Sequence, residues 1–415
     1  MPNDGDHDRR GVSLANVVVV GASLAGLRAV EMLRREGFDG RLTLVGAEPH
    51  LPYDRPPLSK QILRGEWEPE RLALRRHPYG ELDLDLRLGT RALSLDPGAQ
   101  RVSLDDGTAL DYDGLILATG ASPRTIPGTP DLSGIHVLRS LDDALALRAD
   151  LDRNPARVAV IGAGFIGAEV AASCRERGLR VTMIEPLEAP MIRGLGIEMG
   201  GLMAAVHRDQ GVDLRLGIGV EAFEGADRVE RLRLSDGSVV DCDVVVVGIG
   251  VVPETGWLES SGLELDNGVV CDETCATAAK GVVAAGDVAR WPNRLFGRTM
   301  RVEHWTHAVE QGVAAARRLL VGDAAAEPFA PVPLVWTDQY DLRIQFCGIA
   351  DFTGASRVVH GSIAERKFVT LFEHAGRLIG ALAFNSARLM IQYRGLIAES
   401  ASFEQALAHA RQSEG

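Results

Sequence analysis

Residues 17–48 and residues 158–185 carry the same sequence module, and this repeat constrains the fold more than any other feature of the chain. Each copy has a short apolar run, a glycine-rich turn, a stretch with helical spacing, and a second apolar run that leads to a Glu. Short continuous apolar runs are typical of parallel strands buried on both faces of a sheet. Each copy therefore predicts a βαβ unit, and the pair predicts an α/β fold with an internal duplication.

The first turn reads GASLAG and has Ser23 where a dinucleotide-binding turn has its middle glycine. In such turns glycine permits a tight bend, and N–H groups at the start of the helix bind a pyrophosphate. An acidic residue after the second strand, here Glu48, accepts hydrogen bonds from a ribose. Helical spacing predicts a helix over residues 27–35, and a turn that only joins strand to helix is the alternative reading. The predicted cofactor contacts are Gly21, Ser23, Leu24, Ala25, Gly26 and Glu48.

The second turn reads GAGFIG and contains all three glycines, between predicted strands at residues 157–161 and 180–184, with a helix to about Arg177. A carboxylate at Glu185 would bind the ribose hydroxyls of NAD and repel the additional phosphate of NADP. The PLEAPM that follows offers no arginine to hold that phosphate, so the sequence favours NADH. Phe165 and Ile166 are expected by default to pack the helix against the sheet. The predicted cofactor contacts are Gly162, Gly164, Phe165, Ile166, Gly167 and Glu185.

A second, shorter repeat closes each module. Residues 112–124 read YDGLILATGASPR, and residues 242–254 read CDVVVVGIGVVPE. Both segments have an Asp, an apolar strand, a glycine turn, and a Pro three residues after the last glycine. The chain is therefore predicted to contain two related dinucleotide-binding folds. Two adenine dinucleotides on one chain suggest two redox cofactors, one held permanently and one exchanged.

Composition excludes several classes of function. The 415 residues are 46% hydrophobic and carry a net charge of −13, which argues against a nucleic-acid or anionic-membrane binder. No run approaches the roughly 20 apolar residues that span a bilayer. Residues 1–14 are polar, and we expect a frayed tail on a cytoplasmic protein. The five scattered cysteines fit a reducing compartment, and Cys271 and Cys275 are expected to be ordinary thiols, with no metal site.

The two glycine turns, the ATG at residues 118–120 and the AAGD at residues 284–287 resemble the FAD- and NAD-dependent pyridine nucleotide–disulfide oxidoreductase superfamily. The resemblance implies that the first module binds FAD and that the second binds NADH and delivers a hydride to the flavin. It implies that Asp287 accepts a hydrogen bond from the ribityl chain. It also implies that a helix near residues 302–312 directs its N-terminus at the flavin ring. The other cofactor contacts that it implies are Arg55, Ala118, Thr119, Gly120, Arg124, Gly250, Gly286, Glu303, His304, Trp305 and Trp336.

Some of these residues have a second, purely structural interpretation. Thr119 is expected mainly to shape its turn, and His304 to line the cofactor, because hydride transfer needs little acid–base catalysis. Core packing is the alternative for Trp305 and Trp336. Arg55 and Arg124 would contact FAD, and an arginine suits bidentate binding of phosphate.

The predicted fold class is α/β, with two Rossmann-like dinucleotide-binding domains and a C-terminal α+β domain. The FAD domain is predicted to be discontinuous, at residues 1–123 and 254–325, with the NAD domain at residues 124–253 inserted into it. Residues 324–334 are rich in small residues and Pro and are expected to be a linker. The C-terminal domain, residues 326–415, should contain an antiparallel hairpin that turns near residues 374–376 and a helix over residues 403–411.

The branch of the superfamily depends on residues 48–63, which read EPHLPYDRPPLSKQIL and contain no cysteine. The disulfide reductases carry a cysteine pair there, so a thiol relay would lack its nucleophile. PYDRPPLSK at residues 52–60 and WTDQYDLRIQFCG at residues 336–348 resemble the putidaredoxin-reductase-like branch. That resemblance implies electron transfer from NADH through FAD to a 2Fe–2S ferredoxin that serves a haem monooxygenase or a ring-hydroxylating dioxygenase. A reductase of rubredoxin or another acceptor, and a redox-sensing flavoprotein like the apoptosis-inducing factor, stay open.

Lys60 and Glu169 are the predicted catalytic residues. In the relatives that the resemblance indicates, the matching Lys lies near flavin N5 and pairs with the Glu of GFIGAE. A cation there would stabilise a reduced, anionic flavin. The alternatives are a solvated surface lysine and a solvent-facing helix residue.

One basic segment stands out in this acidic chain. Residues 290–301 read RWPNRLFGRTMR and contain four arginines and no acid. Because ferredoxins of this type are acidic, a basic patch near the redox centre would steer one to dock. A solvated loop, or arginines that bind the FAD phosphates, is the alternative, and we expect a monomer or weak dimer. The residues concerned are Arg290, Arg294, Arg298 and Arg301.

Overall fold

The computed structural model describes residues 14–412, which fall into two compact units. The first unit comprises residues 14–53, Ala73–Ala121 and Pro253–Pro333, and the second comprises Asp54–Leu72, Ser122–Val252 and residues 334–412. The predicted N-terminal tail lies almost entirely outside the described residues. Among the described helices, none combines the length and the apolar character that crossing a bilayer requires.

The first unit is built on a five-stranded parallel sheet. Asn16–Val20 lies at its centre and pairs in parallel with Arg41–Gly46 on one side and Gly114–Leu117 on the other. All four valines of the central strand are buried, as a strand covered on both faces requires. The predicted first βαβ unit is confirmed. In spatial order the strands are Val282–Ala284, Gly114–Leu117, Asn16–Val20, Arg41–Gly46 and Leu84–Leu88.

Both faces of this sheet are covered. Helices Leu24–Arg35 and Trp305–Val321 pack over one face, where Val17 and Val19 join the core. Val18 and Val20 point to the other face, against smaller sheets. One of those sheets consists of Ala92–Asp96, Arg101–Leu104 and Ala109–Asp111, and the other of Val269–Val270, Ala289–Asn293 and Arg298–Met300. The unit also contains short 3-10 turns at Tyr79–Leu82, Gly256–Leu258, Gly286–Val288 and Asp323–Ala325.

The second unit repeats the same plan around Arg157–Ile161. This strand pairs in parallel with Arg180–Glu185 and with Val244–Val247. The spatial order of the strands is Asp213–Leu216, Arg180–Glu185, Arg157–Ile161, Val244–Val247 and Ile135–His136. The helices of this part of the unit are Leu141–Asp152, Phe165–Glu176 and Ile192–Asp209. A separate antiparallel sheet consists of Val220–Gly225, Val229–Leu234 and Val239–Asp241. The short strands Ala121–Pro123 and Val251–Pro253 lie where the chain passes from one unit to the other.

The C-terminal part of the second unit is an antiparallel sheet with two helices. Lys367–His374 and Arg377–Phe384 form the predicted hairpin, and the predicted last helix runs from Phe403 to Gln412. The α/β fold class with a C-terminal α+β portion is therefore confirmed. The sheet order is Leu334–Gln339, Leu342–Gly348, Arg377–Phe384, Lys367–His374 and Ser356–Ser362, followed by helices Ala387–Ala398 and Phe403–Gln412.

One segment departs from the simple division of the sequence. Asp54–Leu72 follows the first βαβ unit but packs within the second unit. It contains a turn of π-helix, Leu58–Ile62, and a 3-10 turn, Pro69–Leu72. Side chains of helix Phe165–Glu176 and the residue after it hold this segment. Ser173 Oγ donates to Ser59 O at 2.7 Å, and Arg177 Nη1 donates to Leu63 O at 2.6 Å. The predicted domain boundaries otherwise lie near those of the units and stay a prediction.

Candidate active site

The first glycine turn lies at the carboxyl edge of the first unit's sheet. Gly21 has φ of +120°, and a Cβ there would lie 2.0 Å from Ala118 O. A Cβ on Gly26 would lie 2.0 Å from Gly21 O. Both positions therefore require glycine, the first for its backbone conformation and the second for close approach of the helix to the strand.

Ser23 occupies a position that does not require glycine. It is the N-cap of helix Leu24–Arg35, with φ of −119° and ψ of −158°, which any residue adopts. The helix begins three residues earlier than predicted, so the first-turn N–H groups start directly at the turn. No acidic residue lies in that first turn, whereas Ser140 and Asp143 form a full capping box on helix Leu141–Asp152. This uncapped, positive helix end fits the pyrophosphate of FAD.

Two more predicted contacts lie at the same edge of the sheet, because parallel strands end together. Glu48 follows Arg41–Gly46, and its carboxylate accepts a hydrogen bond from the Tyr53 hydroxyl. Ala118, Thr119 and Gly120 follow Gly114–Leu117. Thr119 Oγ1 donates to Glu254 O at 2.9 Å, which agrees with its expected role in shaping the turn.

The AAGD turn completes this edge. Gly286 and Asp287 follow Val282–Ala284, and Gly286 N donates to Gln311 Oε1 at 2.8 Å. The nearby His304 is the N-cap of helix Trp305–Val321, which begins later and runs further than the predicted residues 302–312. Trp305 is the first residue of that helix and is partly buried.

The His304 imidazole is neutral and retains hydrogen-bonding capacity. Burial lowers its pKa to about 4, against a smaller opposing effect of the Asp287 carboxylate. Its Nδ1 atom is buried and has no hydrogen-bond partner in the described part of the chain. The adjacent Glu303 is exposed and pairs with Arg301 at 2.6 Å. A buried polar atom without a partner beside Asp287 fits a polar cofactor such as the flavin of FAD.

The second glycine turn has the same geometry in the second unit. Gly162 has φ of +95°, and a Cβ there would lie 2.4 Å from Gly248 O. A Cβ on Gly167 would lie 1.9 Å from Gly162 O. Gly164 differs, because a Cβ there would have no neighbour within 4 Å. The two turns are thus equivalent position by position, and Gly164 matches Ser23.

Glu185 is oriented by backbone groups of this site. Its Oε2 accepts from Ala163 N at 2.7 Å, and its Oε1 accepts from Leu187 N at 3.0 Å. Each carboxylate oxygen therefore keeps a lone pair for another donor. This arrangement fits a ribose diol, as predicted for NADH.

The other predicted contacts in the second unit are placed as follows. Phe165 is partly buried and lies against Gly194, whereas Ile166 is 44% exposed. The expectation that Ile166 packs the helix against the sheet is therefore wrong, because a side chain buried between helix and sheet would not be this exposed. Arg124 N donates to Gly250 O at 2.9 Å and Arg124 Nε donates to Val251 O at 3.1 Å.

Two further predicted FAD contacts also belong to the second unit. Arg55 Nη1 donates to Arg139 O at 2.7 Å. Trp336 lies on strand Leu334–Gln339 and is partly buried. Their contact with FAD stays a prediction.

Lys60 and Glu169 form a buried ion pair in the second unit. Lys60 Nζ lies 2.8 Å from Glu169 Oε2, and the two residues are 5% and 4% exposed. The alternatives of a solvated lysine and a solvent-facing glutamate are therefore wrong. Lys60 lies in the π-helical turn Leu58–Ile62, a geometry that is frequent at functional sites, and Glu169 lies on the helix after the second glycine turn.

Two polar residues that the sequence analysis did not identify donate to Glu169, and a third donates to one of them. Ser59 Oγ donates to Oε2, and Thr337 Oγ1 donates to Oε1 at 2.7 Å. Gln339 Nε2 in turn donates to Thr337 Oγ1 at 3.1 Å. The carboxylate is therefore held by donors on both oxygens, while the Lys60 ammonium has Glu169 as its one side-chain partner within the described residues.

The cysteine thiols of the chain have the low reactivity of buried, protonated groups. All five cysteines are buried and free. Burial raises the pKa of Cys174, Cys242, Cys275 and Cys347 to about 12 and also raises that of Cys271, so each stays a protonated thiol. Residues 14–412 contain no group of three or more His, Cys, Asp or Glu side chains placed to hold a metal ion.

The basic segment forms part of a small sheet rather than a solvated loop, and acids from other segments pair with its arginines. Arg290 pairs with Asp266, and Arg294 pairs with Glu273. Together with the Arg301–Glu303 pair, these contacts neutralise most of the positive charge that the sequence places there. Arg298 is exposed.

Comparison with known proteins agrees with this arrangement. Residues 15–312 match the family model described as pyridine nucleotide-disulphide oxidoreductase, and residues 334–413 match the one described as reductase C-terminal. The chain is 38% identical to rhodocoxin reductase of Rhodococcus erythropolis over 387 residues, which covers 92% of this chain and 89% of that protein.

Two further similarities extend over nearly the whole chain. The ferredoxin–NAD(+) reductase component of the anthranilate 1,2-dioxygenase system of Burkholderia cepacia is 40% identical over 388 residues, 92% of this chain and 94% of that protein. The covalent putidaredoxin reductase–putidaredoxin complex matches with a TM-score of 0.89 and 31% identity, covering 96% of this chain and 98% of the matched chain.

Proposed function

The chain belongs to the pyridine nucleotide-disulphide oxidoreductase family, and we propose that it is an FAD-dependent NADH reductase of a 2Fe–2S ferredoxin. The names of relatives that align along nearly the whole chain support this proposal, since they are ferredoxin and rhodocoxin reductases. The ferredoxin would serve a haem monooxygenase or a ring-hydroxylating dioxygenase.

The two equivalent turns would take different nucleotides. In the first unit the uncapped helix after Gly21 would hold the FAD pyrophosphate, Glu48 a ribose, and Asp287 the ribityl chain. In the second unit the Gly162 turn and Glu185 would bind NADH. FAD, when bound, supplies the chemistry that accepts a hydride and releases electrons singly.

Lys60 would act by its charge. We place its ammonium beside the flavin, where a fixed cation stabilises the negative charge of the reduced cofactor. Glu169 would orient Lys60, while Ser59 and Thr337 hold the Glu169 carboxylate in place by donating to it. The same hydrogen bonds keep the pair rigid, so Lys60 pays little ordering entropy during turnover.

The burial and protonation of the cysteines are the observation that favours an electron acceptor outside the chain. An internal thiol relay needs an accessible thiolate, and every cysteine here is a buried thiol with a raised pKa. Electrons would therefore pass from the cofactor to an acceptor outside the chain, as a ferredoxin reductase requires.

Anaerobic titration of the purified protein tests this function. NADH should bleach a flavin absorbance spectrum, and an oxidised 2Fe–2S ferredoxin should restore it quickly while the iron–sulfur band falls. Bleaching without transfer to several ferredoxins would indicate rubredoxin, another acceptor, or a redox-sensing role. A protein without flavin would overturn the assignment of the first turn.

The basic segment is our candidate docking surface for an acidic ferredoxin. Arg298→Glu and Arg294→Glu should slow ferredoxin reduction and leave NADH oxidation by a small dye unchanged. Arg91→Glu, at another exposed arginine of the first unit, is the matched control. Equal losses with dye and ferredoxin would refute docking at this segment.

A further inference from the structure

Gln311 lies at the centre of a buried hydrogen-bond cluster in the first unit. Its side chain is 0% exposed, on helix Trp305–Val321. Its Oε1 lies 2.8 Å from Gly286 N and 2.9 Å from His307 Nε2, and its Nε2 lies 3.8 Å from Cys275 Sγ. Every polar atom of this amide thus has a partner.

The partners determine how the cluster is protonated. Gly286 N can only donate, so the amide oxygen must face it. His307 Nε2 must then also donate, which fixes the tautomer of this imidazole. Burial lowers the pKa of His307 to about 3, so the ring stays neutral, and it stacks on the Trp291 ring with the two ring centroids 4.6 Å apart.

Gly286 N, which donates to Gln311 Oε1, belongs to the turn that contains Asp287. Gly286 has φ of +78°, and a Cβ there would lie 3.1 Å from Ala25 Cβ on the helix of the first glycine turn. The next residue, Gly312, approaches the same helix, since a Cβ there would lie 2.4 Å from Ala25 O. Gln311 and Gly312 therefore join the Asp287 turn and the first glycine turn to one helix.

We infer that Gln311 is a positioning residue for FAD, which sets the Gly286–Asp287 turn in register with the first glycine turn. This inference rests on the proposed function. Without the amide oxygen, Gly286 N would be a buried donor with no acceptor, and the turn would shift to regain one. Asp287 would move with it, although no atom of Gln311 needs to touch the cofactor.

Two substitutions separate the hydrogen bond from the packing. Gln311→Met has a similar length but no comparable acceptor. Gln311→Glu keeps an acceptor for Gly286 N and His307 Nε2, and the protonated Cys275 thiol, with its pKa raised to about 12, can donate to the second oxygen. Leu319→Ala is the control, because Leu319 is buried on the same helix but packs against Gly114.

The measurement is FAD dissociation from the holoenzyme in a dilution series, read by the fluorescence of released flavin, with visible circular dichroism of the bound flavin as a second readout. Gln311→Met should weaken FAD binding about tenfold and alter the dichroism, because a buried donor loses its acceptor. Gln311→Glu should bind close to the native level. Leu319→Ala should lower the melting temperature without weakening FAD binding.

Native affinity and dichroism in Gln311→Met would overturn the inference alone. So would equal weakening in Leu319→Ala, since affinity would then follow overall stability. A native protein that binds no FAD would overturn the proposed function, and this inference with it.

Discussion

Lys60 Nζ lies 2.8 Å from Glu169 Oε2 at a site where neither residue is more than 5% exposed. Removing one partner leaves a buried charge uncompensated, so Lys60→Met should lower the free energy of unfolding by about 3–5 kcal/mol. Lys60→Met combined with Glu169→Gln should cost less than the sum of the two single changes. Chemical denaturation of all three variants measures this coupling.

An exposed ion pair serves as the control for this comparison of single and double variants. Arg101 and Asp111 lie 2.6 Å apart with side chains 53% and 65% exposed, so Arg101→Met should change the unfolding free energy little. Additive effects at Lys60 and Glu169 would contradict a strongly coupled buried pair.

The glycines of the second turn should respond unequally. Gly167→Ala places a Cβ 1.9 Å from Gly162 O and should abolish NADH binding, because strand and helix must separate. Gly164→Ser has open space around its Cβ and copies Ser23 of the first turn, so it should keep most of the affinity. NADH titration followed by flavin bleaching compares the two. Loss of binding in Gly164→Ser would show that the turns are not equivalent.

Glu185 should determine nucleotide preference as well as affinity. Glu185→Ser removes the acceptor for Ala163 N and the carboxylate that repels a phosphate, so KM for NADH should rise about tenfold and the preference over NADPH should shrink. Steady-state kinetics with both nucleotides and a dye acceptor measure this. Glu188→Ser, at an exposed glutamate three residues later, should leave both constants unchanged. An unaltered ratio in Glu185→Ser would refute the assignment.

His207 should make the protein less stable in acid. Its side chain is buried, with Nδ1 2.9 Å from the Tyr340 hydroxyl, and burial lowers its pKa from 6.5 to about 4. Between these values the unfolded chain binds a proton that the folded chain does not. The stabilisation is therefore complete above pH 6.5 and is lost as pH falls towards 4, by about 3 kcal/mol.

Denaturation of His207→Gln across this range tests the assignment. Its free energy of unfolding should fall less steeply with acid than that of the native protein. His77→Gln, at an exposed histidine, should keep the native slope. Identical slopes in all three proteins would exclude titration of His207 as the cause.

The features that the sequence predicted well depend on residues close together in the chain. The glycine turns follow from local backbone conformation and close approach, so Gly21, Gly26, Gly162 and Gly167 could be assigned directly. The surroundings of Glu169 could not, because Ser59 and Thr337 lie 110 and 168 residues away. Only the packing of three separate segments brings these donors to one carboxylate.

The same limit explains the interpretations that changed. The basic segment contains no acid, yet Glu273, 21 residues before Arg294, neutralises that arginine. No local pattern indicates that residues 54–72, after the first βαβ unit, join the second unit. Gln311 lay inside the predicted helix, but its bond to Gly286 depends on a turn 25 residues away.

The interleaving of the two units has a consequence for biosynthesis. In the first unit, one edge of strand Gly114–Leu117 stays unpaired until Val282–Ala284 has been synthesised. The second unit includes strands that are synthesised only after residue 333. Neither unit can therefore complete its fold while only the first half of the chain has been synthesised. A nascent chain exposes an apolar strand edge throughout that interval, which makes it a substrate for chaperones. Premature termination would yield a target for proteases rather than a smaller working enzyme.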